Sequence, residues 1–174
     1  MENVSSGHIV LIGFMGSGKS SVARVLAAKT GLAHVDTDDM VVRQAGMSIP
    51  DIFAKEGEAG FRDREHDVLK TLIAMEPCVI SSGGGVVVRE ENRILLRQLG
   101  TVVYLEVTAK EALARIGHNE ERPLLRGSVS PQQLLDRRQD WYEGVADVSI
   151  NTSSQSISQI ASDIYRRLRE LQVI

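Results

Sequence analysis

The sequence predicts a three-layer α/β domain built around a parallel β-sheet. Short, almost wholly apolar runs alternate along the chain with longer amphipathic stretches, which is typical of successive strand–helix–strand units. The runs are apolar at nearly every position, as strands are when helices cover both faces of their sheet. No internal repeat, low-complexity tract or linker divides the 174 residues, so we predict a single domain over 1–174.

Five segments are predicted as strands because they are short and rich in apolar or β-branched residues. In chain order they are His8–Ile12, Ala33–Asp36, Cys78–Ser81, Thr101–Val107 and Val148–Asn151.

The intervening helices are predicted from their end signals. The first covers Lys19–Thr30 and stops at Gly31, a favourable residue after a helix. Later helix starts have the spacing of a capping box or a near variant at Ser48–Asp51, Thr108–Glu111, Ser130–Gln133 and Ser156–Gln159. The last of these opens a helix whose apolar stripe runs from Ile157 to Leu171.

Two stretches interrupt the alternation of strands and helices. Met40–Met75 contains several helical pieces between two strands, and Gly117–Ser130 is polar, arginine-bearing and rich in turn residues. In α/β enzymes, insertions of this kind usually bind the substrate or close over it. We therefore expect a substrate-binding insertion at about 37–65 and a lid at about 117–130.

The composition excludes several classes of partner. A formal net charge of −3 argues against a surface for nucleic acid or anionic membranes. The single cysteine, Cys78, excludes a disulfide within the chain and lies in an apolar run, so we expect it to be buried. The first residues carry no basic leader region and no apolar run reaches membrane-spanning length, so we expect a cytoplasmic protein. With no apolar stripe left over, we expect a monomer.

The segment Gly13–Ser20 fits the phosphate-binding pattern G-x-x-x-x-G-K-[ST] at every specified position, and it lies between a predicted strand and a predicted helix. Glycines such as Gly16 and Gly18, together with Ser17, let backbone N–H groups turn towards phosphate oxygens at a helix N-terminus. Lys19 can reach the β- and γ-phosphates of ATP, and the Ser20 hydroxyl can ligate Mg²⁺. This P-loop predicts that the chain binds a nucleoside triphosphate.

The class of nucleotide-binding protein is narrowed by what the chain lacks. The guanine-reading sequence Asn-Lys-x-Asp does not occur, and 174 residues are too few for the added modules of motors and helicases. A small nucleotide-dependent kinase is the class that remains.

Acidic residues follow the second predicted strand. At the carboxyl end of a parallel strand, a carboxylate faces the crevice where ligands bind. Asp36 and Asp38 are two apart and share a face if strand geometry persists. One could hold the water shell of the metal, and the other could face an acceptor hydroxyl. The alternative is that these acids cap the next helix, and for Asp39 we prefer that interpretation.

Three further features are ambiguous by themselves. Arg62 and Glu65 stand at i and i+3 of a predicted helix, and a surface ion pair is the simpler interpretation. Gly83–Gly85 follows the third strand and either lets a ligand approach the backbone or forms a flexible turn. Arg122 lies in the predicted lid, where it is either a mobile cation for phosphoryl transfer or a solvated loop residue.

Taken together and in this order, the motifs resemble those of the shikimate kinases. The resemblance runs from Ile9 to about Leu171 and rests on Gly-Phe-Met-Gly-Ser-Gly-Lys-Ser, Asp-Thr-Asp, Gly-Glu-x-x-Phe-Arg, Gly-Gly-Gly and Arg-Pro-Leu-Leu. The first motif is generic to P-loop proteins, and the combination of the other four is specific. The resemblance implies a P-loop kinase fold with five parallel strands in the order 2-3-1-4-5. It also implies transfer of the ATP γ-phosphate to the 3-hydroxyl of shikimate, on the route to chorismate and the aromatic amino acids.

The resemblance also implies roles for individual residues, carried over by matched position. For ATP and Mg²⁺, the matched residues are Gly16, Ser17, Gly18, Lys19, Ser20, Ser21, Asp36, Arg115 and Arg122. Among these, Asp36 would hold the water shell of the metal, Arg115 would lie against the adenine, and Arg122 would move in with the lid. For shikimate, the matched residues are Asp38, Phe53, Phe61, Arg62, Gly83, Gly84, Gly85 and Arg138.

Within the shikimate set, Asp38 would bond the substrate hydroxyls and assist deprotonation. Arg62 and Arg138 would grip the carboxylate, and Glu65 matches a position that helps to orient this arginine pair. A planar guanidinium suits a carboxylate better than an ammonium does. Gly84 would contribute a backbone N–H, and Phe53 and Phe61 would form apolar walls.

The chain departs from the family pattern in places, and two other functions remain open. Ser21 stands where threonine is frequent, Glu120 and Glu121 precede Arg122, and the loop Asn151–Ser156 contains no arginine. One alternative is a kinase for another polyhydroxy acid such as gluconate, which acidic and arginine side chains would also suit. The other is a catalytically silent nucleotide-binding module.

Overall fold

The computed structural model describes residues 6–116 and 130–174 and confirms the predicted parallel sheet. Its strands are β1 His8–Ile12, β2 Ala33–Asp36, β3 Cys78–Ser81, β4 Gly100–Glu106 and β5 Val148–Asn151. Their order is β2-β3-β1-β4-β5, and every neighbouring pair is parallel. Only the fourth strand differs from the sequence prediction, since it begins and ends one residue earlier.

Seven helices are present in the described part of the chain. They are α1 Lys19–Thr30, α2 Thr37–Ala45, α3 Ile49–Ile73, α4 Glu90–Leu99, α5 Ala109–Ile116, α6 Pro131–Val145 and α7 Ile157–Glu170. Complete capping boxes start α6 at Ser130 and α7 at Ser156, while Ser48 and Thr108 each accept one backbone N–H at the start of α3 and α5. The helix starts predicted from the sequence are therefore confirmed.

Helix α3 is the longest of the described helices, and its backbone is not helical throughout. It starts at Ile49 and continues to Ile73, with a break at Gly57, where φ is 72° and ψ is −177°. Almost only glycine adopts this backbone conformation. The predicted insertion at 37–65 is thus formed by α2 and the first part of α3.

Two apolar clusters pack on opposite faces of the sheet, as a three-layer domain requires. Alternate residues of β1 show the division: Val10 and Ile12 face the cluster formed with α2–α6, while Ile9 and Leu11 face the cluster formed with α1 and α7. The predicted stripe of α7 is buried at its centre, but Ile157 and Leu171 at its ends are exposed. Cys78 is buried, as predicted.

Within residues 6–116 and 130–174, no helix has the length and apolar character needed to cross a bilayer. Residues 117–129 of the predicted lid, including Arg122, Glu120 and Glu121, lie outside the described residues.

Candidate active site

The carboxyl ends of β1, β2 and β3 open onto one cleft of about 350 Å³. In an open α/β sheet this edge is where ligands bind. The cleft is lined by Gly16, Gly18, Lys19, Ser20, Ser21, Asp36, Asp38, Ser82, Gly83, Gly84, Arg115 and Ile157. Residues predicted for ATP, metal and acceptor therefore meet in one place, and the exposed end of the α7 stripe, Ile157, borders it.

The P-loop connects β1 to α1, as its sequence pattern predicted. Gly13, Gly16 and Gly18 have positive φ values of 151°, 77° and 90°, so the glycines are needed for the path of the loop. The Lys19 ammonium donates to the carbonyl oxygens of Gly13 over 2.7 Å and of Phe14 over 3.0 Å. These contacts hold the charge of Lys19 inside the curve of the loop.

Asp36 lies at the centre of a polar chain that joins two strand ends to the P-loop. Its Oδ2 accepts from the Ser20 hydroxyl over 2.9 Å and from the Ser81 hydroxyl over 2.7 Å. The Ser81 oxygen lies 2.8 Å from Nε2 of His34, and burial lowers the pKa of this imidazole. The site therefore offers hard oxygen ligands from Ser20 and Asp36, which is the donor type that Mg²⁺ prefers.

The geometry expected for Asp36 and Asp38 was wrong, although both residues line the cleft. Strand β2 ends at Asp36, and Asp38 lies in the first turn of α2, so the two do not share a strand face. Asp36 also caps α2 by accepting from the backbone N–H of Asp39 over 3.1 Å. Capping and contact with Ser20 thus coexist in one side chain, because its two oxygens point to different partners.

Arg62 and Glu65 are buried, so the interpretation as a surface ion pair was wrong. Arg62 is 4% exposed and Glu65 is fully buried, and Nη1 of Arg62 lies 3.1 Å from Oε1 of Glu65. Burial raises the pKa of Glu65 to about 7, Arg62 acts against this rise, and the nearby charge of Asp38 adds to it. Glu58, half exposed, lies 3.4 Å from the other terminal nitrogen of Arg62.

The glycine segment, Gly83–Gly85, lies between acidic and basic side chains. A β-carbon on Gly83 would lie 2.7 Å from Oδ1 of Asp38 and 3.0 Å from Oε2 of Glu65. A β-carbon on Gly84 would lie 3.7 Å from Nη1 of Arg138, and one on Gly85 would overlap the Arg62 guanidinium. Gly83 and Gly85 therefore leave little room for a larger side chain, which favours the interpretation of close approach over that of a flexible turn.

Arg62, Glu65, Arg138 and the glycine segment form what we call the arginine pocket. Arg138 is 3% exposed, so it is buried like Arg62. Each of the two arginines has one buried nitrogen without a hydrogen-bond partner among the described residues, Nη1 in Arg138 and Nε in Arg62. Unpaired buried donors are unfavourable unless a ligand satisfies them. Two guanidinium groups with spare donors form a site suited to a carboxylate.

The predicted aromatic walls adjoin the arginine pocket. The rings of Phe53 and Phe61 are 5.0 Å apart, and the Arg62 guanidinium lies 5.3 Å from the centre of the Phe61 ring. Phe61 is buried, and Phe53 is partly buried against the same apolar cluster. Their position beside Arg62 is compatible with the predicted walls, and this role stays a prediction.

Arg115 reaches across the cleft from α5 to the P-loop. Its Nη1 lies 3.4 Å from the carbonyl oxygens of Gly16 and Ser17, and 3.2 Å from the hydroxyl oxygen of Thr152. Nη2 donates to the Thr152 carbonyl over 3.2 Å. Arg115 therefore lies between the P-loop and the loop after β5, and the contact with adenine that the resemblance implies for it stays a prediction.

Sequence reasoning missed several polar residues of the site. The side chains of Thr37, Ser81, Tyr142 and Thr152 contact predicted site residues. For Ser81 and Thr152, the available signal was a hydroxyl at the end of a strand. Tyr142 stands four residues after Arg138 on α6, so the two share a helix face.

The fold and the site together define a P-loop kinase for a small molecule. The description of the family model that matches residues 15–169 is shikimate kinase. The chain is 42% identical to shikimate kinase of Enterococcus faecalis, covering 93% of this chain and 98% of that relative. It is 40% identical to shikimate kinase of Pseudomonas paraeruginosa, covering 94% and 97%. The chain belongs to the shikimate kinase family.

Solved structures agree with this assignment. Shikimate kinase from Acinetobacter baumannii in complex with shikimate superposes with a TM-score of 0.91 at 36% identity, covering 96% of this chain and 95% of that one. A gluconokinase from Sinorhizobium meliloti superposes with a TM-score of 0.59 at 18% identity, which indicates a common fold alone.

Proposed function

We propose that this protein is a shikimate kinase that transfers the γ-phosphate of ATP to the 3-hydroxyl of shikimate. One observation carries the proposal: Asp38, Arg62 and Arg138 converge on the glycine segment beside the P-loop. An acidic group and two guanidinium groups thereby surround a space next to the phosphate site. This arrangement matches a ligand with hydroxyls at one end and a carboxylate at the other. Its product would serve chorismate and aromatic amino acid synthesis.

The carboxylate end of the substrate would lie in the arginine pocket. The buried N–H groups of Arg62 and Arg138 that lack partners among the described residues are available donors. Gly84 would add its backbone N–H, and Gly83 and Gly85 would let the ring approach the backbone. Phe53 and Phe61 would bound the apolar part of the ring.

The hydroxyl end would face Asp38. Its carboxylate lies against Gly83, on the side of the glycine segment that borders the cleft. There it would accept a hydrogen bond from the reacting hydroxyl and orient the oxygen towards the γ-phosphate. Phosphoryl transfer depends mainly on positioning and charge stabilisation, so a strong base is not required.

The phosphates of ATP would lie on the P-loop, with Gly16, Ser17, Gly18, Lys19, Ser20 and Ser21 around them. Ser20 and Asp36 would hold Mg²⁺, directly or through water, and the ion would neutralise charge on the transferred phosphate. Among the described residues no group of three or more His, Cys, Asp or Glu could hold a metal ion. This fits Mg²⁺ bound by few protein oxygens, water and substrate phosphates. Arg115 would contact the adenine, and Arg122 would serve the phosphates from the lid.

We further propose that the chain acts as one domain and as a cytoplasmic monomer. The apolar clusters enclose a common sheet, which supports a single folding unit. Sedimentation of the purified protein would test the oligomeric state, and a dimer that persists at nanomolar concentration would contradict it.

The function is tested by coupled release of ADP with shikimate or gluconate as acceptor. We expect Mg²⁺-dependent turnover with shikimate and none with gluconate. The Lys19→Ala variant should lose at least about a hundredfold in turnover, because a cation that stabilises the transferred phosphate is removed. Turnover with gluconate alone would overturn the substrate assignment. Binding of ATP without transfer to any acceptor would favour the catalytically silent module.

A further inference from the structure

The glycine segment is held by a side-chain hydroxyl on each side. The Gly83 N–H donates to Oγ1 of Thr37 over 3.0 Å, and the Tyr142 hydroxyl donates to the carbonyl oxygen of Gly84. Thr37 belongs to the first turn of α2, and Tyr142 to the last turns of α6. Both side chains are fully buried. The segment is therefore tied to two different helices.

Consecutive glycines need such ties because they restrict their own backbone less than other residues do. A trans peptide unit is planar, and its C=O and N–H groups point in opposite directions. The hydrogen bond from Tyr142 to the Gly84 carbonyl therefore also fixes the direction of the Gly85 N–H. In the same way, the hydrogen bond from the Gly83 N–H to Thr37 fixes the direction of the Ser82 carbonyl. The turn bond from the Val86 N–H to the Gly83 carbonyl, 3.2 Å, completes the constraint.

The position of the segment determines the space available to the arginine pocket. A β-carbon on Gly85 would overlap the Arg62 guanidinium, and one on Gly83 would crowd Asp38. With so little clearance, a rotation of either peptide unit would displace these side chains. Backbone direction and side-chain geometry are consequently coupled at this site.

The charged groups of the arginine pocket also act electrostatically on the Tyr142 hydroxyl. Burial raises the pKa of Tyr142 to about 12, and the positive charge of Arg138, one helical turn earlier, acts against that rise. Arg62 and Glu65 are close enough to influence the same hydroxyl. The hydroxyl thus lies among the groups that would receive the carboxylate.

We infer that Thr37 and Tyr142 are positioning residues, whose hydroxyls hold the glycine segment so that Asp38, Arg62 and Arg138 bind one acceptor molecule together. The inference rests on the proposed function, since it concerns the geometry of the same acceptor site. Neither residue needs to touch the substrate. Their effect is expected on acceptor binding and acceptor selectivity, with ATP binding unchanged.

The test compares two variants that remove only hydrogen-bonding capacity with a matched control. Tyr142→Phe deletes the hydroxyl and keeps the ring stacked 5.1 Å from Tyr104, and Thr37→Val deletes the acceptor for the Gly83 N–H. The control is Tyr104→Phe, the same chemical change in the other ring of the stack, which has no contact with the glycine segment in any described interaction. Initial rates are measured with shikimate and with its methyl ester, at saturating and at varied ATP.

For each of the two variants we expect the KM for shikimate to rise about tenfold, while the KM for ATP changes less than about twofold. The preference for shikimate over its methyl ester should fall, because Arg62 and Arg138 would no longer be placed to bind the carboxylate together. Tyr104→Phe should keep wild-type values. A purely structural role would lower the thermal midpoint and leave both the KM ratio and the ester discrimination unchanged.

The outcomes separate this inference from the proposed function. If the wild type phosphorylates shikimate, and the folded variants show the acceptor KM and ester discrimination of Tyr104→Phe, the positioning role is wrong and the function stands. If one variant does not fold, the other decides by the same criterion. If the wild type does not phosphorylate shikimate, the proposed function and this inference are both wrong.

Discussion

Arg62 illustrates how burial changes the meaning of an ordinary residue pair. Its i,i+3 spacing with Glu65 is that of many surface ion pairs, which contribute little to stability. Here both groups are withdrawn from water, and the Arg62 side chain retains an Nε–H without a partner in the described part of the chain. A buried arginine with spare donors is costly for the protein alone and becomes favourable when an anion binds.

The Arg62→Lys variant tests this interpretation. A guanidinium can bind a carboxylate through two parallel hydrogen bonds, whereas an ammonium offers a point contact. We expect the KM for shikimate to rise roughly ten- to a hundredfold, with little change in the KM for ATP. The matched control is Arg64→Lys, two residues later, where a partly exposed ion pair with Glu56 lies outside the pocket. Unchanged shikimate kinetics in Arg62→Lys would refute the carboxylate role.

Glu65 predicts a specific dependence of stability on pH. Its pKa in the folded protein is raised from 4.5 to about 7, so the folded state holds a proton that the unfolded state releases above pH 4.5. The contribution of the Glu65 carboxyl to the free energy of unfolding is therefore full below about pH 4.5, and it is lost as the pH rises through 7. Relative to Glu65→Gln, the wild type should lose up to about 3 kcal/mol of unfolding free energy between pH 4.5 and 8.

Chemical denaturation of both proteins across that pH range measures the Glu65 effect. Asp163→Asn is a suitable control, because Asp163 lies on the surface of α7 in an exposed ion pair. Parallel stability curves for wild type and Glu65→Gln would show that the carboxyl is not protonated in the folded protein near neutral pH.

At the scale of single elements, helix α3 bears the residues proposed to bind the acceptor and is divided by Gly57. The break separates the turns bearing Phe53 from those bearing Phe61 and Arg62. Because φ is positive and ψ is extended at Gly57, any other residue there would be strained. The glycine thus permits one continuous segment to change direction between Phe53 and Phe61, the two proposed walls.

A pair of glycine substitutions tests the conformational requirement. Gly57→Ala should lower the unfolding free energy by about 1–3 kcal/mol, because alanine is disfavoured at this φ and ψ even though its β-carbon would meet no neighbour within 4 Å. Gly144→Ala, in helical conformation near the end of α6 and equally open, should raise it by about 0.5 kcal/mol. Urea denaturation measures both. Equal effects of the same sign would contradict the argument from backbone geometry.

At the scale of the whole molecule, the site exists because the strand order is not the chain order. Strand β1 lies between β3 and β4, so the P-loop adjoins the glycine segment although the two are far apart along the chain. The parallel arrangement brings the carboxyl ends of all the strands to one edge. Residues from α2, α3, α6 and the glycine segment after β3 can then surround a single small molecule.

Much of this architecture could be predicted from local sequence. The apolar runs located the strands to within one residue, and Ser130 and Ser156 marked the starts of α6 and α7 through capping spacing. The P-loop could be recognised because its glycines and Lys19 lie close together in the sequence and belong to one local loop. Arg62 and Arg138, in contrast, were assigned through resemblance, since their spacing along the chain carries no geometric information about their proximity.

The sequence by itself determined the strands, most of the helix starts, the phosphate-binding loop and the family, because these depend on neighbours along the chain and on the order of motifs. Only the tertiary structure decided that Arg62 and Glu65 are buried, that Asp36 both caps α2 and meets Ser20, and that Tyr142 holds the glycine segment. The physical reason is that burial and cross-chain hydrogen bonds depend on how helices pack on the sheet. Side chains distant in sequence acquire their electrostatic environment only when that packing brings them together.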